Sequence, residues 1–405
     1  MKKLLITFCL VLLCPLFSPG WGFFGHKTIN QIAVYALPRP MQEFYYRHMN
    51  QIVQLSTAPD MRRNEDPNEA PKHYIDMDHY GDNPFGMMPK EWEKATAKYT
   101  ADTLRKYGTV PWVVMDVKEN LTEAFRQRDT AAIIRLSADL GHYVADAYVP
   151  LHTTINYDGQ LTNQEGMHSL WESKLPERHL AEYKLDSESA DYLKDPLRSI
   201  WDVVQNSYGF LGATFDLEEA VSRKFTPETK YTFSHKYGKT RRAYSDAFAD
   251  AYHKEVGGMV AIRIKQAPTM VASMWLTAWQ DAGKPDLDQM MGKKFTKGER
   301  EKLATELKAW KKNELVDKEL VIAMQKEKAV EKADVIKSAE DMQPMPADAS
   351  APAAPAPALT PAPQAAPATT VEKSKVKAKD EDGKKIKEKR KKKGDKADKA
   401  DDGWN

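Results

Sequence analysis

The stretch AAIIRLSADLGHYVADAYVPLH, residues 131–152, decides how the chain folds. From Ala131 to Val149 it holds one glycine, Gly141, and no proline, and Pro150 then stops it, which predicts a single helix ending at Val149. His142 and Asp146 stand four residues apart and project from one face of that helix, one turn from each other. An imidazole and a carboxylate so placed can hold one cation. Beyond the turn at Pro150, His152 can face the same space from a loop.

Working outward, GMHSLWE at residues 166–172 repeats the spacing with His168 and Glu172. Neutral imidazole and carboxylate are ligands that zinc accepts at about 2.0–2.2 Å. The alternative is two solvated helix faces with incidental histidines. Two such pairs and His152 within 31 residues favour a metal centre. Upstream lie PDMRR at 59–63 and HYIDMD at 73–78, a weaker signal. Taken alone, Asp60 and Asp76 could equally cap helices or pair with the nearby arginines. At the start, WGFFGH occupies residues 21–26. If the chain is cut before Trp21, the new α-amine and the Trp21 carbonyl oxygen can chelate a metal, with His26 five residues on.

That cut is expected. Lys2 and Lys3 precede an apolar run, Leu4–Leu13, and Ser18-Pro19-Gly20 places small residues before Trp21. This is the layout of a secretory signal peptide over residues 1–20, too short to span a bilayer, and it predicts an exported, periplasmic or secreted protein. A lipid anchor at Cys14 is disfavoured because Leu13 stands where a small residue is wanted. Cys9 and Cys14 are the only cysteines, so the processed chain has no disulfide and relies on its core or on metals. No later segment has about 18 consecutive apolar residues, so no transmembrane helix is expected.

Composition divides the rest. Residues 21–290 mix apolar, aromatic and charged types and read as one all-α domain with long loops, with further helices over Met167–Leu175, Thr240–Val256 and Thr269–Gln280. Residues 291–342, rich in Lys, Glu, Ala and Leu, read as a charged helical extension that Trp310, Leu315 and Leu320 could dock on the domain. Residues 343–370 are almost all Pro and Ala and cannot bury enough apolar surface to fold. Residues 371–405 form a Lys-rich tail, expected to be disordered, with 14 Lys and Arg against 9 Asp and Glu. Of the chain's net +2, that tail and the two leading lysines leave the core at −5.

Taken together the motifs resemble the superfamily of zinc-dependent phospholipases C and single-strand-preferring zinc nucleases. The order is what makes the resemblance specific: an N-terminal Trp, then Asp, His, His-x3-Asp-x5-His and His-x3-carboxylate. It implies an all-α fold holding three zinc ions at the base of a cleft. Carried over by residue, Asp60, His73, His142 and Asp146 would hold the first ion. His152, His168 and Glu172 would hold the second. Trp21, His26 and a bridging Asp146 would hold the third. His48, His79, His179, His235 and His253 fall outside the motifs and read as structural or surface residues.

The resemblance further implies phosphodiester hydrolysis by a zinc-bound hydroxide, since zinc lowers the pKa of bound water to about 7. Asp60 would orient the attacking water or take its proton. Arg63 would grip two phosphate oxygens with its planar fork, or else pair with Glu65 or Asp66. The leading reading of the substrate is phospholipid. Glu172 stands where the phospholipases carry Glu, the spacing from Leu151 through Asn156 to His168 looks phospholipase-like, and an acidic core does not gather polyanions. The alternative is a zinc endonuclease on single-stranded DNA or RNA, with Tyr74 and Asp76 holding a base. Tyr74, Asp76 and Asn156 are the candidate substrate-binding residues. A third reading is a non-catalytic exported zinc-binding protein whose basic tail is the working part. A monomer is expected, with the tail free to contact anionic surfaces.

Overall fold

The structure is a computed structural model describing residues 22–236 and 239–325. Its principal elements are α1 (Phe23–Ala36), α2 (Val110–Gln127), α3 (Thr130–Ala147), α4 (Pro196–Gly209), α5 (Leu211–Ser222), β1 (Tyr231–Lys236), β2 (Lys239–Tyr244), α6 (Asp246–Asp281) and α7 (Lys297–Lys311). Residues 1–20, Trp21 and the segments 343–370 and 371–405 lie outside the described residues, as does 326–342 of the charged extension.

The fold is all-α, and α3 is its centre. Asp129 caps it, its carboxylate accepting the Ala132 N–H at 3.0 Å, and Pro150 ends it. Arg128, in the left-handed region at φ 57°, turns α2 directly into that cap, so α2 and α3 pack as neighbours. Leu121 and Phe125 of α2 and Ile133, Leu140 and Val144 of α3 are fully buried between them. Each such side chain contributes about 1.5–3 kcal/mol.

Helix α6 runs 36 residues and packs against α1, α2 and α3. The sequence suggested two helices here, and the structure has one that passes straight through Pro268. An interior proline costs roughly 3 kcal/mol. Ile264, Ala267, Pro268, Val271 and Trp275 are all buried, and the core they enter offsets that cost. The first expected helix also begins later than its apolar pattern suggested. Thr240–Tyr244 is strand, paired antiparallel with β1, and the helix starts only where the Ser245 hydroxyl accepts the Phe248 N–H.

Beyond α6, α7 turns back over α1. Tyr35 and Tyr46 donate to the two oxygens of the buried Glu306 carboxylate, at 2.9 and 2.8 Å. Trp310 is buried and donates to the Leu185 carbonyl, and Leu315 is buried beside it. Among the described residues no helix is long and apolar enough to cross a membrane.

Candidate metal centre

Two helices have to approach closely before the site can form. A Cβ on Gly141 would lie 2.0 Å from Asn30 Oδ1, so only glycine lets α3 meet α1 here. The approach lays the His26 ring flat on His142, centroids 3.8 Å apart. His26, His142 and Asp146 are each wholly buried. The segment entering the site from Ala58–Arg62 brings Asp60. A loop brings His73, a short 3-10 turn at Pro150–Thr153 brings His152, and the helical run from Met167 brings His168 and Glu172. That run widens into a π-turn over Leu170–Lys174, the kind of local bulge that re-aims a side chain, here Glu172.

The polar atoms of these residues converge in three groups. In the first, His73 Nδ1 lies 3.0 Å from His142 Nε2 and 2.9 Å from Asp146 Oδ2, and His142 Nε2 lies 3.2 Å from the same oxygen. Asp60 Oδ1 completes the group at 3.7 Å from His73 Nδ1 and 3.9 Å from His142 Nε2. Tetrahedral zinc with bonds of about 2.0–2.2 Å sets its ligand atoms about 3.3–3.6 Å apart, and these spacings straddle that range. In the second group, His152 Nε2 and His168 Nε2 are 2.8 Å apart, and Glu172 Oε2 stands 3.4 and 3.0 Å from them. Three protein donors, two imidazoles and a carboxylate, are the set a catalytic zinc carries. In the third, His26 Nε2 stands 3.4 Å from Asp146 Oδ1. Neither His26 ring nitrogen makes a hydrogen bond among the described residues, although the ring is fully buried. A buried imidazole without a hydrogen bond, its Nε2 turned toward the Asp146 carboxylate, is explained by a cation shared with that carboxylate, so the residues present fit zinc.

The backbone has already chosen which ring nitrogens face inward. His142 Nδ1 is 2.8 Å from the Ser56 carbonyl and His152 Nδ1 is 2.8 Å from the His73 carbonyl. Each Nδ1–H donates outward and leaves Nε2 bare toward the centre. The electrostatics agree. Burial would push the Asp146 carboxyl up, but the imidazoles of His142 and His152 outweigh it and hold the group far below its ordinary value. Burial pulls His168 down to about 4 and pushes Glu172 up to about 8. His168 is thereby held neutral, with a lone pair to give, and the Glu172 carboxylate lacks a counter-charge that a dication would supply.

Around this centre lies a supporting layer that the sequence analysis missed. Glu69 is buried, its Oε1 3.8 Å from His73 Nε2 on the ring's far side. It also accepts from Tyr143, from Lys72 at 2.6 Å and from Arg62 at 3.3 Å, and Arg62 pairs in turn with Asp139 at 3.1 Å. Asp78 accepts from Thr154 Oγ1 at 2.7 Å and from the Ile155 N–H, bracing the loop after His152. The Asp158 carboxylate takes the His168 N–H at 3.3 Å.

At the rim, Arg63 Nη1 is 3.6 Å from Asp60 Oδ1. Tyr74 and Asp76 follow His73 on a strip half-open to solvent, and burial with the neighbouring Asp78 pushes the Asp76 carboxyl up to about 7. Asn156 is buried, and both ends of its amide are used within its own loop, to Thr162 Oγ1 and the Leu161 N–H. Gly22 donates its N–H to the Glu172 carbonyl at 3.2 Å, so the first described residue sits on the helical run that carries Glu172.

A fourth group, His179, Glu182 and His253, lies outside the centre. Its two imidazoles stack parallel, 3.6 Å and 3° apart. Lone pairs lie in the ring planes, so an ion between two parallel rings would sit off both. We read this as a stacked pair and not as a metal site.

A helical domain burying three converging groups of imidazole and carboxylate defines a polynuclear metallohydrolase. The chain matches the S1/P1 nuclease family over residues 21–279 and belongs to it. It is a zinc-dependent hydrolase of phosphodiester bonds. No curated protein and no solved structure matches it.

Proposed function

We propose that the protein is a zinc nuclease acting on single-stranded nucleic acid, and that the residues assembled above are its metal ligands. The family match carries this reading, and supports the nuclease alternative over the phospholipase-like one. The half-buried edge at Tyr74, followed by Asp76, supplies what a base requires: a ring face and a hydrogen-bonding carboxyl. Asp60, His73, His142 and Asp146 would hold one ion, His152, His168 and Glu172 a second, and His26, Asp146 and Trp21 a third. Zinc bound there supplies Lewis acidity toward water and phosphoryl oxygens. Arg63 binds the scissile phosphate through its fork, and Asp60 orients the attacking water or takes its proton. Tyr74 and Asp76 seat the base beside the scissile bond.

The reading of Trp21 as a ligand requires export and cleavage before it. Protein that retains one residue ahead of Trp21 then keeps its fold and loses most of its activity. Domain limits at residues 20, 290, 342 and 370 go with this reading, as does a basic tail that tethers the enzyme to polyanionic surfaces. The deciding experiment sets the processed protein on single-stranded DNA and on phosphatidylcholine vesicles side by side, with and without chelator. DNA cleavage abolished by chelator is expected. Lipid hydrolysis with intact DNA overturns the nuclease reading.

A further inference from the structure

The hairpin β1–β2 stands apart from the helical domain in both chemistry and charge. Residues 231–244, YTFSHKYGKTRRAY, contain Lys236, Lys239, Arg241 and Arg242 and no Asp or Glu, in a core whose net charge is negative. Antiparallel pairing sets Tyr231 opposite Tyr244 and Phe233 opposite Arg242, so these four share one face. Tyr244 is buried at the base, the Arg242 guanidinium lies 4.4 Å from the Tyr231 ring centroid, and Phe233 is 64 % exposed. The Phe233 ring stands largely in solvent. The face therefore climbs from a buried aromatic through a cation stacked on a ring to a bare phenyl.

Its base is bolted to the metal centre's own approach. Tyr244 donates to the buried Glu218 carboxylate at 2.9 Å and contacts the Gln164 carbonyl at 3.1 Å, and Lys230 pairs with Glu218 at 2.8 Å. Arg242 pairs with Glu165 at 3.0 Å, and a Cβ on Gly166 would touch the Tyr244 ring at 3.3 Å. Gln164, Glu165 and Gly166 form the turn that leads into His168. The ribbon thus rises from the rim of the site, two residues from one of its imidazoles.

We infer that the β1–β2 hairpin is an arm that holds the single strand beyond the scissile phosphate, stacking a base on Phe233 beside the Arg242 guanidinium of the same face, in a segment whose sequence carries no acid to repel the backbone. This deepens the nuclease reading and rests on it. Aromatic stacking with cations that track phosphates is what a strand of any sequence requires, at about 1–3 kcal/mol per stacked base. A membrane is the less fitting partner. The sequence beyond Phe233 is polar, Ser-His-Lys-Tyr-Gly-Lys-Thr, and offers no cluster of aliphatic residues to insert.

The test compares wild type with Phe233→Ala and Phe233→Trp, as full-length zinc-loaded protein. Cleavage of a 12-nucleotide oligothymidylate is measured against cleavage of thymidylyl-thymidine, which offers no nucleotide beyond the two that flank the scissile phosphate. Phe233→Ala is expected to lower the ratio of kcat/KM for the 12-mer to that for the dinucleotide by about tenfold, the loss of one stacked base. Phe233→Trp should restore it. Fluorescence anisotropy with a phosphorothioate 12-mer reports binding without cleavage, and phosphatidylglycerol vesicles are run beside it. An unchanged ratio and unchanged anisotropy overturn the arm. Loss of vesicle binding with oligonucleotide binding intact overturns nucleic acid as its occupant. If wild type binds the 12-mer through Phe233 but cleaves no nucleic acid, the arm stands and the proposed substrate of the site falls.

Discussion

Two clusters in this protein are made of the same residue types, and they aim their lone pairs differently. The centre around Asp146 and the group around His253 both bring imidazoles to carboxylates within ligand distance of each other. At the centre, backbone carbonyls at Ser56 and His73 take the outer nitrogens of His142 and His152, so the inner ones point at a common space. At the periphery, His179 and His253 lie face to face, and of their neighbours Glu182 is exposed and Asp250 is half-buried and paired with Arg178. Convergence of lone pairs, rather than residue type or proximity, separates a site from a cluster. What enforces convergence is the layer behind the ligands.

The sharpest way to break the comparison is at the shared oxygen pair. Asp146 Oδ2 faces His73 and His142, while Oδ1 faces His26. Asp146→Ala should empty more than one metal position and abolish cleavage of single-stranded DNA. The loss should exceed the roughly 10–100-fold that removal of an outer partner costs. Elemental analysis of the purified variant decides. Full zinc content would mean that the centre does not depend on this carboxylate.

A smaller effect is expected one layer out. Glu69→Gln keeps the shape but removes the charge behind His73 Nε2, and leaves Arg62 and Lys72 without their shared acid. Zinc affinity, measured by chelator competition, should fall roughly 10–100-fold with secondary structure intact. Unchanged affinity would show that His73 is oriented by its backbone alone.

Smaller again is the effect at the rim. The Asp76 carboxyl, pushed up to about 7 by burial and by Asp78, is neutral below that pH and charged above it. As a hydrogen-bond acceptor for a base, it should make KM for single-stranded DNA rise as pH falls through about 7. Asp76→Asn should flatten that dependence. Stability gives the sign independently. A carboxyl whose folded pKa is raised makes the native state bind more protons, so stability falls as pH rises through the interval between the ordinary value and about 7. Asp76→Asn should therefore raise Tm more at pH 8 than at pH 5.

What the sequence disclosed follows from the same distinction. Helix α3 and the two His-x3-carboxylate pairs were legible because an i, i+4 pair on an uninterrupted helix needs nothing beyond local geometry. Glu69 has the same spacing to His73, yet Pro71 lies between them and hides the turn that makes it count. The hairpin was absorbed into an expected helix because Thr240–Tyr244 abuts the apolar stretch of α6. Its strand pairing depends on residues five to thirteen positions earlier. Pro268 signalled a break that burial against three other helices overrides, and burial on that scale is a tertiary fact no local window contains.

The smallest expected effect belongs to the peripheral pair, and it sharpens the comparison by being nearly silent at the centre. His253 is buried, and burial first, then the charge of His179 stacked on it, lower its pKa. Glu182 and Asp250 act in the opposite direction without reversing it. A histidine held neutral in the fold and free to protonate when unfolded makes the native state bind fewer protons. Its contribution is present above the unfolded value near 6.5 and is lost as pH falls through that value toward the lower folded one. His253→Ala should leave zinc content and DNA cleavage at wild-type levels and flatten the decline of Tm as pH falls below about 6.5. Loss of one zinc equivalent in this variant would mean that the rings turn out of their stack to take a metal, and that convergence can be induced by the ion rather than built beforehand by the backbone.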